Sequence, residues 1–124
     1  MNRRQSLKVI SAAAAGAVAA RPIQLHVDLE VDPSKEADLA AVFRDVFRPA
    51  IRKQPGFVDV RLLKLRAAAA GPPPEGFGYR LLISFESEEQ RQKWVASDDH
   101  QRAWPRIEAA LRGRKYAALL YDIL

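Results

Sequence analysis

Ile23-Gln24-Leu25-His26-Val27-Asp28-Leu29-Glu30-Val31 alternates apolar and polar side chains without a fault. Successive side chains of a strand point to opposite faces, so this spelling predicts a β-strand with one face in a core. Asp32-Pro33-Ser34 then stops the strand and opens a helix, with proline near its first turn. Leu39, Val42, Phe43, Val46, Phe47, Ala50 and Ile51 recur at three- and four-residue steps. They lay one apolar stripe along a helix of about eighteen residues. Pro49 lacks a backbone donor and is expected to kink its last turn. Gln54-Pro55-Gly56 ends it.

Outward from there, 57–66 reads as a second strand whose alternation slips at Leu62-Leu63, the spelling of a bulge. The segment 67–78, with Gly71-Pro72-Pro73-Pro74, reads as a stiff, exposed connection. A third strand over 79–86 puts Leu81, Ile83 and Phe85 on one face. Ser87 to Gln90 spells a capping box that opens a second helix carrying Trp94 and Val95. Ser97-Asp98 reads as a fresh N-cap and hence a break, and Pro105 as a kink or a new first turn. The apolar face of Ile107, Ala110 and Leu111 runs on to Gly113, and 116–124 is the last strand. The order β-α-β-β-α-β predicts an α+β, ferredoxin-like fold: a four-stranded antiparallel sheet with helices on one face. Apolar residues on the other face need cover, which a homodimer pairing two sheets would supply.

The first residues are of another kind. Asn2-Arg3-Arg4-Gln5-Ser6-Leu7-Lys8 resembles a twin-arginine export motif, with Ser6 where phenylalanine is usual. The apolar, alanine-rich run 9–20 follows, and Ala17-Val18-Ala19 fits a small-residue cleavage site. The run is too short to cross a hydrocarbon core of ~30 Å as a helix. The expected organisation is a signal over 1–20 and one domain over 21–124, exported to the periplasm or its equivalent, with an uncleaved signal as the main variant. The net charge of +5 overstates the domain. From Arg21 onward seventeen Lys and Arg face fifteen Asp and Glu, about +2 and without a basic block, which argues against nucleic acid as a partner. With no cysteine and only His26 and His100, thiolate sites are excluded and no built-in metal is expected.

Three stretches resemble the antibiotic biosynthesis monooxygenase family. They are Ala50-Ile51-Arg52-Lys53-Gln54-Pro55-Gly56-Phe57 (with Gln54 where Glu is usual), Phe85-Glu86-Ser87-Glu88-Glu89, and Trp94-Val95-Ala96-Ser97-Asp98-Asp99-His100. Their order and spacing cover 22–124. The resemblance implies a dimeric α/β barrel with a pocket between helices and sheet in each subunit. It also implies that Trp94 is the pocket tryptophan, His100 the polar residue six positions on, and Arg114 a pocket arginine. The family includes cofactor-free monooxygenases and quinol oxidases, haem-degrading enzymes, and proteins without known activity. The haem-degrading branch has a histidine ligand ten residues after the tryptophan. Trp104 stands there, and the first strand shows no asparagine, which argues against haem degradation.

The candidates are open to structural and to functional readings. Trp94 is either core packing or a wall for a flat aromatic substrate. His100 either serves a helix break or accepts a proton from a phenol. Arg114 and Arg80 are surface or interface charges, or stabilise a phenolate or reduced oxygen. His26 faces the dimer barrel, the pocket or solvent. Tyr79, Tyr116 and Tyr121 follow sheet preference, and Asp98 and Asp99 follow helix capping. The leading expectation assigns catalysis to His100, Trp94 and Arg114, and substrate contact to Trp104, Gln90 and His26. The reaction is then a cofactor-independent monooxygenation or quinol oxidation of a small phenolic substrate by O₂. The alternative is a non-enzymatic periplasmic binding or stress protein of the same fold, with haem binding a weaker third option.

Overall fold

The computed structural model describes residues 21–124; the expected signal over 1–20 lies outside them. Strand β1 (Ile23–Val31) is central, with β3 (Tyr79–Phe85) on one side and β4 (Leu111–Asp122) on the other, and β2 (Phe57–Lys64) lies outside β3. All pairings are antiparallel. Helix α1 covers 36–52, and α2 (Glu88–Ala96) and α3 (Asp98–Glu108) complete the ferredoxin-like arrangement expected from the sequence. Ile23, Val27 and Leu29 of β1 are buried with Leu81, Ile83 and Phe85 of β3 beneath the helices. Gln24, His26 and Asp28 lie on the other, open face, where their strand partners include Arg80, Leu82, Leu119 and Tyr121.

Helix α1 is opened by Asp32, whose carboxylate accepts from the Ser34 N–H at 2.9 Å and caps the 3₁₀ turn Pro33–Lys35. Its fully buried residues Leu39, Phe47 and Ile51, with Phe43 between, recur every four positions. On an α-helix of 3.6 residues per turn such a row rotates by about 40° at each step. The helix corrects this with a π turn, Phe43–Phe47, between α-helical Glu36–Val42 and Arg48–Arg52. The Arg48 N–H reaches back five residues to the Phe43 carbonyl. The irregularity thus immediately precedes Pro49, which stands in the first turn of the α-helical stretch that follows.

Three further expectations are corrected. The bulge in β2 is at Val58, exposed between Phe57 and Asp59, while Leu62 and Leu63 pair regularly with Leu81 and Arg80. Of the two readings of Pro105, the new first turn is excluded, because Pro105 lies inside α3. Gln101, four residues back and owed its missing donor, is exposed, so water can serve that carbonyl. Finally, α3 ends at Glu108 and β4 begins at Leu111, earlier than expected. Gly113 is therefore not a helix stop. It and Arg114, with φ of 59° and 56°, turn β4 through a wide bulge between the Leu29–Tyr116 and Val31–Leu111 pairs.

The Gly56 turn holds α1, β2 and α2 together. Its carbonyl accepts from the Glu86 N–H at 2.8 Å, its φ is +81°, and a Cβ there would collide with the Gln90 amide. Gly56→Ala is expected to reduce stability by about 1–3 kcal/mol in denaturant titrations. Gly78→Ala, which meets open space, should stay within about 0.5 kcal/mol. Equal midpoints for the two variants would refute this account of the turn.

Candidate functional site

The site is built on a helix break. Ser87 caps α2 by accepting from the Gln90 N–H at 3.2 Å. One turn below Gln90, Trp94 faces the core and is buried. At the end of α2 the Ser97 hydroxyl donates to the Trp94 carbonyl at 2.6 Å, and as N-cap of α3 the same oxygen accepts from the His100 N–H at 3.2 Å. One serine thus ends one helix and starts the next, as its spelling predicted, and the chain's change of direction returns His100 to the Trp94 side chain.

A run of aromatic rings results. Phe47, brought over the sheet by the π turn, meets Trp94 edge-on at 5.7 Å, and Trp94 meets His100 edge-on at 4.9 Å. Trp104, one turn further along α3, lies nearly parallel to His100, at 15° and 6.2 Å. It touches Tyr116 of β4 edge-on at 5.0 Å. The inner end is buried. At the outer end Tyr116 and Leu120, which alternation places on the helix side of β4, remain 44% and 45% exposed.

His100 Nδ1 is buried and has no hydrogen-bond partner. Burial depresses the imidazole pKa, the nearby Arg91 guanidinium depresses it further, and Glu108 opposes them. The ring is therefore biased to its neutral form, which offers one donor and one acceptor nitrogen. Arg91 is itself held by two 2.6 Å bonds to the Glu88 carboxylate, with its side chain only 18% exposed. An idle nitrogen costs free energy in a dry place unless something arrives to use it.

Trp94, His100 and Trp104 therefore come together, and the other three candidates do not join them. Gln90 accepts from the Ser87 hydroxyl at 3.0 Å and packs at the Gly56 turn; its length is used in capping. His26 is on the open face, its Nε2 2.9 Å from Gln24 Oε1 and its ring 4.5 Å from Tyr121. Burial and Arg80 lower its pKa, against Asp28. Arg114 is exposed in the β4 bulge, with no hydrogen bond or ion pair among the described residues. Sequence reasoning missed Arg91 as the cation beside His100. Its position three residues before a buried tryptophan, on the same side of the helix, was the available signal. Among the described residues no three His, Cys, Asp or Glu side chains gather as a metal site.

The model of the family described as antibiotic biosynthesis monooxygenase matches residues 22–106. No curated protein matches the chain. Among solved structures, a dimeric ferredoxin-like protein of unknown function from Jannaschia sp. superposes with a TM-score of 0.71 at 16% identity, covering 82% of this chain and 99% of that one. A candidate antibiotic biosynthesis monooxygenase from Caulobacter crescentus gives 0.66 at 18% identity, covering 90% and 98%. SnoaB, a cofactor-independent oxygenase from Streptomyces nogalater, gives 0.63 at 16% identity, covering 85% and 95%. At such identities the likeness is one of fold.

A neutral-biased His100 has a measurable signature. Its NMR titration midpoint is expected below the ordinary value of 6.5, and Arg91→Gln should raise it. Because folding favours the uncharged ring, its contribution to stability is full above that ordinary value and is lost as pH falls through the depressed folded-state value. A midpoint at or above 6.5 in the folded protein would mean that burial and Arg91 do not act on the ring as described.

Proposed function

Because the chain belongs to the antibiotic biosynthesis monooxygenase family, we propose that it is a cofactor-independent monooxygenase or quinol oxidase that brings a small phenol or hydroquinone together with O₂. The observation that carries this reading is the buried, unpartnered Nδ1 of His100, set between two tryptophans. The substrate ring lies against Trp104, and its hydroxyl donates a proton to His100. The resulting anion is electron-rich enough to pass one electron to O₂. For a hydroquinone, loss of a second electron and the second proton gives the quinone, while O₂ takes up two electrons and two protons as hydrogen peroxide. Arg91, not Arg114, is the cation whose field the developing negative charge meets. Neither flavin nor metal is required.

The exposure of Tyr116 and Leu120 favours a second reading. A site open to water protects a radical pair poorly, and a binding protein without turnover would tolerate that opening. Dimerisation bears on both. We take the open sheet face, with Leu119 and Tyr121 exposed on it, as the surface that pairs with a second copy; the Jannaschia relative is described as dimeric. The export signal expected over 1–20 would place the activity outside the cytoplasm, which cell fractionation tests.

Two measurements decide among these readings. Oxygen uptake by the domain with a panel of hydroquinones and phenols is expected to be insensitive to chelators, to fall at least about ten-fold in His100→Ala, and to fall less in Trp94→Phe. If no compound raises uptake above buffer while compounds still raise the melting temperature, the binding reading replaces the oxidase. Light scattering at micromolar concentration should return about twice the chain mass, dropping to a single chain in Leu119→Asp. A monomer in the unaltered protein would count against the pairing.

A further inference from the structure

No stretch of the sequence is a basic block, yet folding gathers one. Helices α1 and α3 form the layer that covers the sheet on the side away from its open face. Shallow depressions lined by both helices follow their seam, and another lies along the second half of α1. Arg44, Arg48, Arg52 and Lys53 line them from α1 and its end, Arg102 and Arg106 from α3, and Lys35 from the entry to α1. The carboxylates in these linings are Asp38, Asp45 and Asp99, so seven cations face three anions. The rest of 21–124 holds ten Lys and Arg against twelve Asp and Glu. The charge of the domain is thus separated, positive on the helix layer and slightly negative elsewhere.

The surplus is not neutralised within the chain. Asp45 holds Arg44 through two bonds of 2.9 and 3.0 Å. Asp99 holds Arg102 at 2.6 Å and lies 3.6 Å from Lys53. Arg48, Arg52 and Arg106 make no ion pair among the described residues, and Arg48 rests over the Phe43 ring at 5.6 Å. The π turn that keeps the buried four-residue row in line also aligns the row one place on, Arg44, Arg48 and Arg52. Like charges at that spacing repel one another along a helix. The helix dipole compensates Arg52 in the last turn, and its influence fades beyond that turn. Anions from outside relieve the remainder.

Three features select a bilayer as their source. The floor between the cations is made of short side chains such as Ala41, Val42, Val46 and Ala50, and none of the exposed large apolar residues belongs to it. Such a face can lie on headgroups but has nothing to insert. Its carboxylates stand among the cations, where they meet the fixed phosphate spacing of a nucleic acid; mobile headgroups collect at the arginines instead. Finally, the chain outside the described residues joins at Arg21, at the sheet end where Ile23 pairs with Phe85 and Phe85 with Phe57. This is the end to which α1 delivers Arg52 and Lys53, and the apolar run 9–20 leads into it.

We propose that the α1–α3 face is a membrane-contact surface, which adsorbs the domain without insertion to a bilayer bearing anionic phospholipid. It shares no residue with the aromatic run, so it is independent of the oxidase reading. It lies across the sheet from the surface assigned to the second copy, so it stays open in the dimer.

Co-sedimentation of residues 21–124, which contain every element described above, tests it. With vesicles of equal parts phosphatidylglycerol and phosphatidylcholine, binding is expected at low salt and its loss at about 0.5 M salt. Vesicles of phosphatidylcholine alone should bind nothing. Arg106→Gln should weaken binding about five-fold, and Arg48→Gln/Arg52→Gln more than about ten-fold. The control pair Arg114→Gln/Lys115→Gln removes the same charge from exposed positions of β4 and should stay within about two-fold. Absence of binding, equal binding to uncharged vesicles, binding that survives salt, or an equal loss in the control pair overturns the surface. Tighter binding to a mixed-sequence DNA duplex, lost in Arg48→Gln/Arg52→Gln, would give the cations to nucleic acid and overturn it equally.

Discussion

Everything in this chain is referred to one strand. β1 is hydrogen-bonded along both edges, to β3 and to β4, so its nine residues set the register of the sheet. Because the side-chain period is two, a slip of one residue would put His26 and Asp28 under the helices and Val27 and Leu29 outside. The error-free alternation of Ile23 to Val31 excludes that alternative. The two faces are consequently given over to different chemistry: an apolar helix-covered side that holds the aromatic run, and an open side carrying Asp28, Arg80 and His26.

On the helix side, the geometry follows from small local devices. Ser97 serves as the acceptor that begins α3 and as the donor that closes α2. The π turn of α1 corrects the drift of a four-residue repeat and holds Phe47 behind Trp94. Neither device touches a substrate, yet together they decide that an imidazole rests between two indoles with a nitrogen unused. The preorganisation is achieved by packing and capping, which cost little once the helices are docked.

Much of this was legible in the sequence, for identifiable reasons. Strand and helix periodicity, the Ser87 and Ser97 caps and the Gly56 turn are short-range signals, and the structure contains them all. Their order was enough for the β-α-β-β-α-β topology. The misses were long-range. Leu62-Leu63 looked irregular, yet both residues pair regularly because the true offset had already occurred at Val58. Arg114 seemed to enter the pocket because a resemblance carries a residue type without its backbone conformation, and here that backbone is left-handed. Gln90 was read both as a cap and as a substrate contact, and the structure shows it in the first use. Arg91 went unnoticed because its one local signal, a place three residues before a tryptophan, does not separate a cation beside a buried ring from one in solvent. The return of 74–78 to the sheet sets Gly76 close to the Glu30 side chain, more than forty residues away, which no local pattern reports.

The far edge of the sheet carries a different consequence. β4 is twelve residues long and lies at the border of the sheet, with apolar side chains exposed in succession at Leu119, Leu120 and Tyr121. Its bulge at Gly113 and Arg114 spoils only the first third of that border for strand addition. Past the bulge, the outer rim of the strand pairs with no other strand among the described residues and presents a row of peptide groups for strand addition. A border of this kind is where one copy of the chain could add, strand to strand, onto another. Shelf life in concentrated solution would then be governed by that border and not by how firmly the core is packed.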